Sequence, residues 1–297
     1  EQGDLEHVLY TSQGDSNRVV FAPGNAAEAY EQTRDAFDFA YEYGLPAIVV
    51  YDQKLSGELL NVPASFFDRE PNSSLGDVLD ETEIAAAAHH HSGKFERYSH
   101  DSETGAASRS IPGQKGGRYL ASGNEHHPTG HISEDRENRV IQMDRRMRKL
   151  DSIRTELDER EKAASNQAYA GPEEAEYGIL TWGSNQGTVE EATAALLEDG
   201  HSVKALSVSD LMPFPEAEVT TFLESVDSAL VVEMNASAQF KRLIQGELGR
   251  FGPKLHSLLK YNGEPFEPRE IADGLASMAN GAEVSSDGTR LLGAAGD

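Results

Sequence analysis

The first fifty residues follow a strand–helix–strand pattern. Residues 18–22 form a short run rich in β-branched side chains, and residues 47–51 are nearly all apolar, as in a strand buried in a parallel sheet. Between them, Asn25 has the residue type of a helix N-cap, Glu28 completes a capping-box pattern, and apolar side chains then recur on one helical face. One such unit cannot cover both faces of a sheet. We therefore expect its remaining strands to lie upstream of this chain or on a partner.

Hydrophobic periodicity fades between residues 55 and 130, where prolines and glycines interrupt the pattern. A short helix over residues 81–88 is the one element predicted inside this irregular excursion. Long ordered excursions of this kind are usually functional or form interfaces. A long helix is then predicted over residues 134–162, and residues 164–174 have the composition of a linker.

A second and more regular unit follows the linker. Strands are predicted at residues 177–181, 203–208, 229–233 and 255–260, and helices at residues 188–200, 215–226 and 239–248. Thr188 is predicted to cap the first of these helices, with Glu191 completing its capping box. Because strands alternate with helices, this unit is predicted to be a parallel α/β domain with right-handed crossovers.

The whole chain is therefore assigned to the α/β class, in four segments. Residues 1–133 hold the first unit with its excursion, residues 134–174 the long helix and linker, and residues 175–279 the second unit. Residues 280–297 are mostly small and polar and are expected to form a mobile tail.

The net charge of the chain excludes some classes of binding partner. The 297 residues carry 51 acidic and 26 basic side chains, a formal net charge of -25. Such a field repels phosphate, which argues against nucleic acid or an anionic membrane surface as the main partner. No apolar run approaches the roughly 20 residues of a membrane-spanning helix. Arginine outnumbers lysine by 17 to 9, and an acidic, lysine-poor chain indicates a high-salt cytoplasm, where the Debye length is about 3 Å at 1 M salt. An ordinary acidic protein is the alternative.

Cysteine is absent from the sequence. This excludes disulfides, a cysteine nucleophile and a cysteine-ligated iron–sulfur cluster on these residues. No signal peptide is visible, and the sequence begins with Glu1 rather than Met, so we expect a fragment or a processed product.

Two strand ends carry candidate functional residues. Gly183 and Ser184 lie in a turn before a predicted helix N-terminus, where free N–H groups favour an anion. A simple strand–helix turn also explains these two residues, and we favour this interpretation. Asn235 follows a strand at its carboxyl end, the usual place for ligand sites in α/β sheets. It either caps the next helix, which we favour, or faces a partner subunit.

Other candidates lie in the middle of the chain. His89, His90 and His91 are consecutive, and neighbouring side chains cannot all converge on one metal ion from a regular element, so we expect no metal site there. Glu125 and His126 could perform acid–base chemistry, but a polar interface loop is the favoured interpretation.

The chain has one predominantly basic cluster, on the long helix. It consists of Arg145, Arg146, Arg148 and Lys149. One interpretation is that the cluster binds an anionic cofactor or an acidic partner. The other, which we favour, is that it is a solvated helix face whose charge is offset by neighbouring carboxylates. No nucleophile elbow, zinc-protease motif or phosphate-binding lysine loop is present, so the residues alone do not indicate an enzyme.

Several stretches, in order, resemble the alpha subunit of 2-oxoacid:ferredoxin oxidoreductases, which are thiamine-diphosphate enzymes. The sequence Glu-Gln-Gly-Asp-Leu at residues 1–5 is similar to the end of a family motif, and Ser-Gly-Asn-Glu-His at residues 122–126 resembles its Gly-x-Glu-His loop. Further matches are at residues 22–24, 28–30, 46–56, 143–150, 182–192, 213–215, 232–235 and 261–266.

The resemblance implies an architecture and a reaction. The first unit would be the C-terminal part of a pyrimidine-binding domain, and the second a transketolase C-terminal-like domain. The reaction would be oxidative decarboxylation of a 2-oxoacid, with coenzyme A as acyl acceptor and ferredoxin as electron acceptor. Thiamine diphosphate, Mg²⁺ and a [4Fe-4S] cluster would be held by a partner beta subunit, in the cytoplasm.

The resemblance also implies which residues lie near substrate or cofactor, namely Gln2, Asp4, Asn124, Glu125 and His126. It assigns no catalytic base and no metal ligand to this chain. The family's Tyr-Pro-x-Thr-Pro segment is absent, so this stretch alone is expected to be inactive. Pyruvate and 2-oxoglutarate both fit as substrates, with 2-oxoglutarate favoured. The alternatives are a lipoamide-linked 2-oxoacid dehydrogenase subunit and a non-catalytic assembly protein.

Overall fold

The computed structural model of the chain describes residues 2–67, 75–90, 93–159, 167–282, 285–286 and 288–293. The helices of these ranges, numbered in chain order, are α1 (Leu5–Tyr10), α2 (Ala26–Tyr43), α3 (Gln53–Gly57), α4 (Glu81–His90), α5 (Arg136–Glu159), α6 (Gln186–Glu198), α7 (Glu216–Glu224), α8 (Gln239–Leu248) and α9 (Pro268–Ala279). The strands are β1 (Val19–Phe21), β2 (Ala47–Val49), β3 (Gln167–Ala170), β4 (Ala175–Trp182), β5 (Val203–Val208), β6 (Asp210–Met212), β7 (Val226–Glu233), β8 (Leu255–Lys260), β9 (Ser285–Ser286) and β10 (Thr289–Leu292). The α/β class is confirmed.

A twisted sheet with the strand order β3-β5-β4-β7-β8-β10-β9 forms the second unit. Strands β5, β4, β7 and β8 are parallel, and β3 and β10 flank them in antiparallel orientation. Side chains alternate across the sheet: Leu180 faces the core formed with α7 and α8, whereas Ile179 faces the core formed with α6 and α9. Helices therefore cover both faces, which explains why these strands are almost continuously apolar.

The first unit is a small sheet whose third strand comes from the second unit. In the order β2-β1-β6, β1 pairs in parallel with β2 and antiparallel with β6. The expectation that the missing strands lie upstream or on a partner therefore needs correction, because residues 210–212 of this same chain supply one. Leu5 of α1 and Val20 of β1 also belong to the same apolar core as Leu180 and Val231 of the large sheet. The two units are thus packed on a shared core.

Local sequence signals located α2 well. Asn25 accepts a hydrogen bond from the Glu28 N–H at 2.9 Å, as the N-cap pattern predicts. The prediction that Thr188 caps a helix is wrong. A 3₁₀ turn over Gly183–Asn185 leads directly into α6 at Gln186, so Thr188 lies inside the helix and its hydroxyl is free for other contacts.

Two stretches without a predicted strand pair with the large sheet. Residues 164–174 were expected to be a linker, and β3 at Gln167–Ala170 pairs there with β5. The tail expected after residue 280 contains β10, which pairs with β8 through Thr289 to Leu292. Leu291 is buried in the core beside α9. Sheet edges offer unpaired N–H and C=O groups, which recruit even these short segments.

The irregular excursion is ordered in its described parts by backbone hydrogen bonds and close packing. Ile84 of α4 and Phe95 are buried. Tyr98 N–H donates to Pro128 C=O at 2.9 Å, and Leu79 N–H donates to Arg109 C=O at 2.9 Å. Gly130 has a φ of 87°, and a Cβ there would overlap Leu120 C=O, so glycine is required where these segments meet. No helix of the described residues is long and apolar enough to cross a membrane.

Candidate functional site

The carboxyl ends of strands from both sheets meet at one place. We call this place the strand-end junction and define it by Gln2, Asp52, Ser184, Asn185 and Asn235. Asp52 follows β2, Ser184 and Asn185 follow β4, and Asn235 follows β7. Ligand sites in parallel α/β sheets form at such edges. The junction is therefore the candidate functional site of this chain.

Gln2 is the centre of the junction and is 2% exposed. Its Nε2 donates to Trp182 C=O at 3.1 Å and to Asp52 Oδ2 at 3.4 Å. Its Oε1 accepts from Met234 N–H at 3.0 Å and from Asn185 Nδ2 at 3.2 Å. A single amide thus satisfies polar groups at the ends of β4 and β7 and at the start of α3. Gly183 has a φ of 64°, and a Cβ there would lie 3.0 Å from Gln2 Nε2, so glycine permits both the turn and this close approach.

Asp52 joins the small sheet to the turn before α6. Its Oδ1 accepts from Leu55 N–H at 3.1 Å and so caps α3. Its Oδ2 accepts from the Ser184 hydroxyl at 2.5 Å. Lys54 then reaches over the same turn, where its Nζ donates to Ser184 C=O and to Thr188 Oγ1, both at 2.9 Å. The turn is therefore held from the first unit by one carboxylate and one ammonium.

Asn235 links the junction to α8. Its Oδ1 accepts from Ser237 N–H at 3.1 Å and from Gln239 N–H, the first residue of α8, at 3.4 Å. The N-cap of α8 is Ala238, so Asn235 is not the capping residue that we favoured. Its Nδ2 donates to Gln2 C=O at 3.4 Å and to Glu233 Oε2 at 2.6 Å. The carboxylate of Glu233 is fully buried and also accepts from Phe240 N–H at 2.9 Å. Burial raises the pKa of Glu233, and these hydrogen bonds oppose that rise.

Two polar atoms, one in the junction and one on the residue before Gly183, have no hydrogen-bond partner. Trp182 Nε1 and Asn185 Oδ1 are buried and unpaired in the part of the chain that the structure describes. A buried polar atom without a partner costs about 1–3 kcal/mol. The junction is thus assembled at some cost in stability.

An open groove of about 420 Å³ lies beside the junction. Lys54, Ser184, Gly187 and Thr188 line it together with three carboxylates, of which Glu190 is one. Burial and the neighbouring charge of Glu28 raise the pKa of Glu190. Carboxylates therefore outnumber the one lysine of this groove, and the surroundings of the α6 N-terminus do not favour an anion there.

Glu125 forms a separate ionic cluster with α5. Its Oε2 accepts from Arg139 Nη1 at 2.6 Å and from Arg146 Nη2 at 2.7 Å, while its Oε1 accepts from Arg146 Nη1 at 3.0 Å. Burial acts to raise the pKa of Glu125, but these hydrogen bonds and that from the His126 N–H lower it to about 2. A carboxylate bound in this way is a fixed anion. It is a poor candidate for a general base near neutral pH.

The neighbours of Glu125 are also held in place. The His126 ring stacks on Tyr98 with centroids 4.1 Å apart, and His126 Nε2 lies 2.7 Å from Ser122 C=O. Asn124 is exposed and has a φ of 60°, so it forms the left-handed turn of the loop. These contacts agree with a structured polar loop.

The structure brings some of the predicted residues together and leaves others apart. Gln2, Gly183, Ser184 and Asn235 meet at the junction. Asp4 precedes α1, is exposed and makes no side-chain capping bond. Asn124, Glu125 and His126 lie with α5 and share no described hydrogen bond with the junction. A substrate or cofactor contact by any of these residues stays a prediction.

The basic cluster on α5 is only in part the solvated face that we favoured: Arg148 is exposed and Arg146 pairs with the Glu125 carboxylate. Arg145 and Lys149 are buried, with Arg145 donating to Gly105 C=O at 3.2 Å and Lys149 donating to Tyr43 C=O. Burial and the charges of Arg145, Arg97 and Arg146 lower the pKa of Lys149 to about 7. Arg145 and Lys149 instead fasten the excursion and α2 to α5 through main-chain carbonyls.

Sequence reasoning missed Asp52 and Lys54 as site residues. A usable signal existed, because both follow the carboxyl end of the parallel strand β2 within a few residues. The side chains of His89 and His90, and His91 as a whole, lie outside the described residues. Elsewhere in the described ranges no group of three or more His, Asp or Glu side chains is placed to hold a metal ion.

Comparison with known proteins adds to this geometry. The family described as pyruvate:ferredoxin oxidoreductase core domain II matches residues 175–269. The alpha subunit of 2-oxoacid:ferredoxin oxidoreductase 1 from Sulfurisphaera tokodaii is 27% identical over 283 residues, covering 95% of this chain and 42% of the relative. The 2-oxoglutarate oxidoreductase subunit KorA of Mycobacterium tuberculosis is 27% identical over 292 residues, covering 97% of this chain and 41% of the relative. The chain is thus similar to alpha subunits of this group and spans about two-fifths of their length.

A solved structure matches nearly the whole chain. The 2-oxoglutarate:ferredoxin oxidoreductase from Magnetococcus marinus, with 2-oxoglutarate, coenzyme A and succinyl-CoA bound, superposes with a TM-score of 0.75 at 26% identity. The match covers 93% of this chain and 45% of that one. The likeness therefore extends over both α/β units and most of the excursion.

Proposed function

We propose that this chain is part of the alpha subunit of a thiamine-diphosphate-dependent 2-oxoacid:ferredoxin oxidoreductase. The observation that carries the proposal is the structural match to the Magnetococcus marinus enzyme over 93% of the chain. The complex decarboxylates a 2-oxoacid oxidatively, transfers the acyl group to coenzyme A and passes electrons to ferredoxin. It works in the cytoplasm.

The favoured substrate is 2-oxoglutarate rather than pyruvate. Support comes from relatives named 2-oxoglutarate synthase subunit KorA and from the matched structure, which holds 2-oxoglutarate. The core-domain family, in contrast, is described with pyruvate. The second carboxylate of 2-oxoglutarate needs a cationic partner, and we assign that partner to another part of the complex.

The proposed cofactors belong to a partner beta subunit. With no cysteine in its 297 residues, the chain offers no thiolate for a [4Fe-4S] cluster. The described residues present no set of side chains for Mg²⁺, so no step through thiamine diphosphate is derived on this chain. That cofactor would supply the electron sink for decarboxylation of the 2-oxoacid. Without its partner the chain is expected to be inactive.

The residues of this chain have a positioning role: they hold the strand ends and one loop in a fixed arrangement. The hydrogen bonds of Gln2 and Asp52 fix the strand ends of both units relative to each other. Glu125 and its arginines fix the loop that contains Asn124 and His126. We assign no catalytic base here and propose that Gln2 and this loop border the reaction site or the subunit interface.

Identifying the partner chain and the electron acceptor tests this function. The protein is purified in molar salt, and the copurifying chains are identified and assayed for thiamine diphosphate and iron. We expect a cysteine-rich partner and reduction of a viologen by a 2-oxoacid that depends on coenzyme A. Transfer of the acyl group to lipoamide instead would identify a dehydrogenase-type subunit. A purified assembly without thiamine diphosphate or reductase activity would favour an assembly protein.

A further inference from the structure

Residues 109–119 form a concave loop to which no role was assigned above. We call it the arginine loop. It encloses a pocket of about 410 Å³, within the range of roughly 300–1,000 Å³ that is typical of small-molecule sites. Arg109, Ile111, Arg118 and Tyr119 line it, and none of these residues lines the groove beside the strand-end junction.

The arginine loop is held in shape by its own polar side chains. The Ser110 hydroxyl donates to Gly117 C=O at 2.6 Å, and Gln114 Oε1 accepts from Ile111 N–H at 2.8 Å. Gln114 Nε2 donates to Leu79 C=O at 2.7 Å, which fastens the loop to the chain before α4. A Cβ at Gly117 would lie 2.6 Å from Ser110 Cβ, so the loop closes only with glycine there. The pocket is therefore preformed.

Two guanidinium groups line the pocket without a carboxylate partner. Among the described residues, Arg109 and Arg118 form no ion pair, although the chain has 51 acidic side chains. The Arg109 guanidinium lies over the Tyr41 ring, 5.0 Å from its centroid, and its Nη1 donates to the carbonyls of Tyr41 and Leu75 at 3.4 and 3.5 Å. Its Nε is buried without a partner. Each guanidinium retains N–H groups that can bind an anion.

The carboxylates near the loop are bound by other donors. Asp77 accepts from the Ser108 hydroxyl, and Glu81 Oε1 accepts from Lys115 N–H at 2.9 Å. In an acidic chain, arginines normally form ion pairs with such carboxylates. Two arginines without a carboxylate partner at one preformed pocket indicate that they serve a ligand from outside.

Apolar surface next to the arginines completes the pocket. Ile111 is 40% exposed and Tyr119 is 39% exposed. The Tyr119 ring is held by Phe95 and Tyr98, with centroid distances of 6.1 and 6.3 Å. A flat organic group can pack on these side chains while a phosphate takes the guanidinium forks. We propose that the arginine loop binds a phosphate ester with a flat organic group, of the adenosine diphosphate type.

Calorimetric titration of the protein, with any subunit that copurifies, tests this site. The probes are ADP, inorganic phosphate and adenosine, at one fixed salt concentration. We expect ADP to bind more tightly than phosphate, and adenosine to bind least. Arg118→Ala is expected to weaken ADP binding about tenfold or more, because a charge-assisted bidentate contact is lost. Arg118→Lys keeps the positive charge and loses the two-pronged guanidinium. Its affinity for ADP is expected to lie between those of the wild type and Arg118→Ala.

Arg136→Ala is the matched control. Arg136 is an exposed arginine at the start of α5 with no ion pair among the described residues, and its removal changes the net charge equally. ADP affinity should not change in this variant, and the unfolding temperatures of all variants should match that of the wild type. The proposal fails if no phosphate compound binds. It also fails if Arg136→Ala weakens binding as much as Arg118→Ala, since the attraction would then be non-specific.

Discussion

Individual buried amides and carboxylates hold the strand-end junction together. Gln2, Asp52 and Asn235 each bond to residues far away in the sequence, so that a few side chains fix the relation of two sheets. Each buried hydrogen bond contributes only about 0.5–1.5 kcal/mol, but losing one member leaves several partners unpaired. Single substitutions at the junction should therefore have large effects.

Replacing Gln2 by alanine should destabilise the protein by roughly 2–4 kcal/mol, because Trp182 C=O and Met234 N–H lose a buried partner. Denaturant unfolding of the variant measures the change. Asp4→Ala is the control in the same segment, since Asp4 is exposed and makes no capping bond, and it should shift stability by less than about 0.5 kcal/mol. Equal effects of the two substitutions would contradict this role of Gln2.

Glu125 should make stability depend on pH in the acid range. Its pKa is lowered from 4.5 to about 2 in the folded chain, so the unfolded state binds the proton first as the pH falls. The stabilisation from Glu125 is thus present above pH 4.5 and is lost as the pH falls towards 2, by roughly 2–3 kcal/mol. Unfolding of wild type and Glu125→Gln is compared at pH 5 and pH 2.5. A difference in stability that stays constant with pH would refute the ionic cluster.

At the scale of elements, sequence periodicity located those helices and strands whose burial is regular. The strands β4, β5, β7 and β8 were found because helices cover both of their faces, and α2 was found because Asn25 caps it locally. The three-residue β6 and the edge strands β3 and β10 were not found. Their pairing depends on sheet edges distant in sequence, and a short segment carries no period of its own.

Only part of the candidate site could be predicted from the sequence, because only part of it lies in elements with a regular pattern. Ser184 and Asn235 stand at strand ends, which a pattern reveals. The hydrogen bonds of Gln2 to Trp182 and Met234 span about 180 and 232 positions in the sequence, and no local signal encodes them. The burial of Arg145 and Lys149 on α5 was missed because their partners are main-chain carbonyls of the excursion and of α2, which a charge pattern does not show.

The edge strand β10 should contribute to stability. Leu291→Ala is expected to cost about 2–4 kcal/mol, because Leu291 is 6% exposed and packs in the core with α9. Arg290→Ala on the exposed side of the same strand should change stability little. Thermal unfolding compares the two variants. If both are neutral, residues 289–292 behave as the tail that the sequence suggested.

At the scale of the whole molecule, charge dominates. A net charge of -25 on 297 residues produces self-repulsion that salt screens. We expect the unfolding temperature to rise continuously between 0.1 M and 2 M KCl, with sorbitol at matched osmolality as the uncharged control. An unfolding temperature that falls or stays constant with salt would argue against the high-salt cytoplasm.

We propose that this chain belongs to a complex that oxidises 2-oxoacids. The most direct measurement is the initial rate of ferredoxin reduction by the purified complex, with 2-oxoglutarate and pyruvate supplied separately, each with and without coenzyme A. We expect rapid reduction with 2-oxoglutarate and coenzyme A, much slower reduction with pyruvate, and almost none without coenzyme A. Absence of reduction with either acid, in a complex shown to contain thiamine diphosphate and iron, would rule out this function.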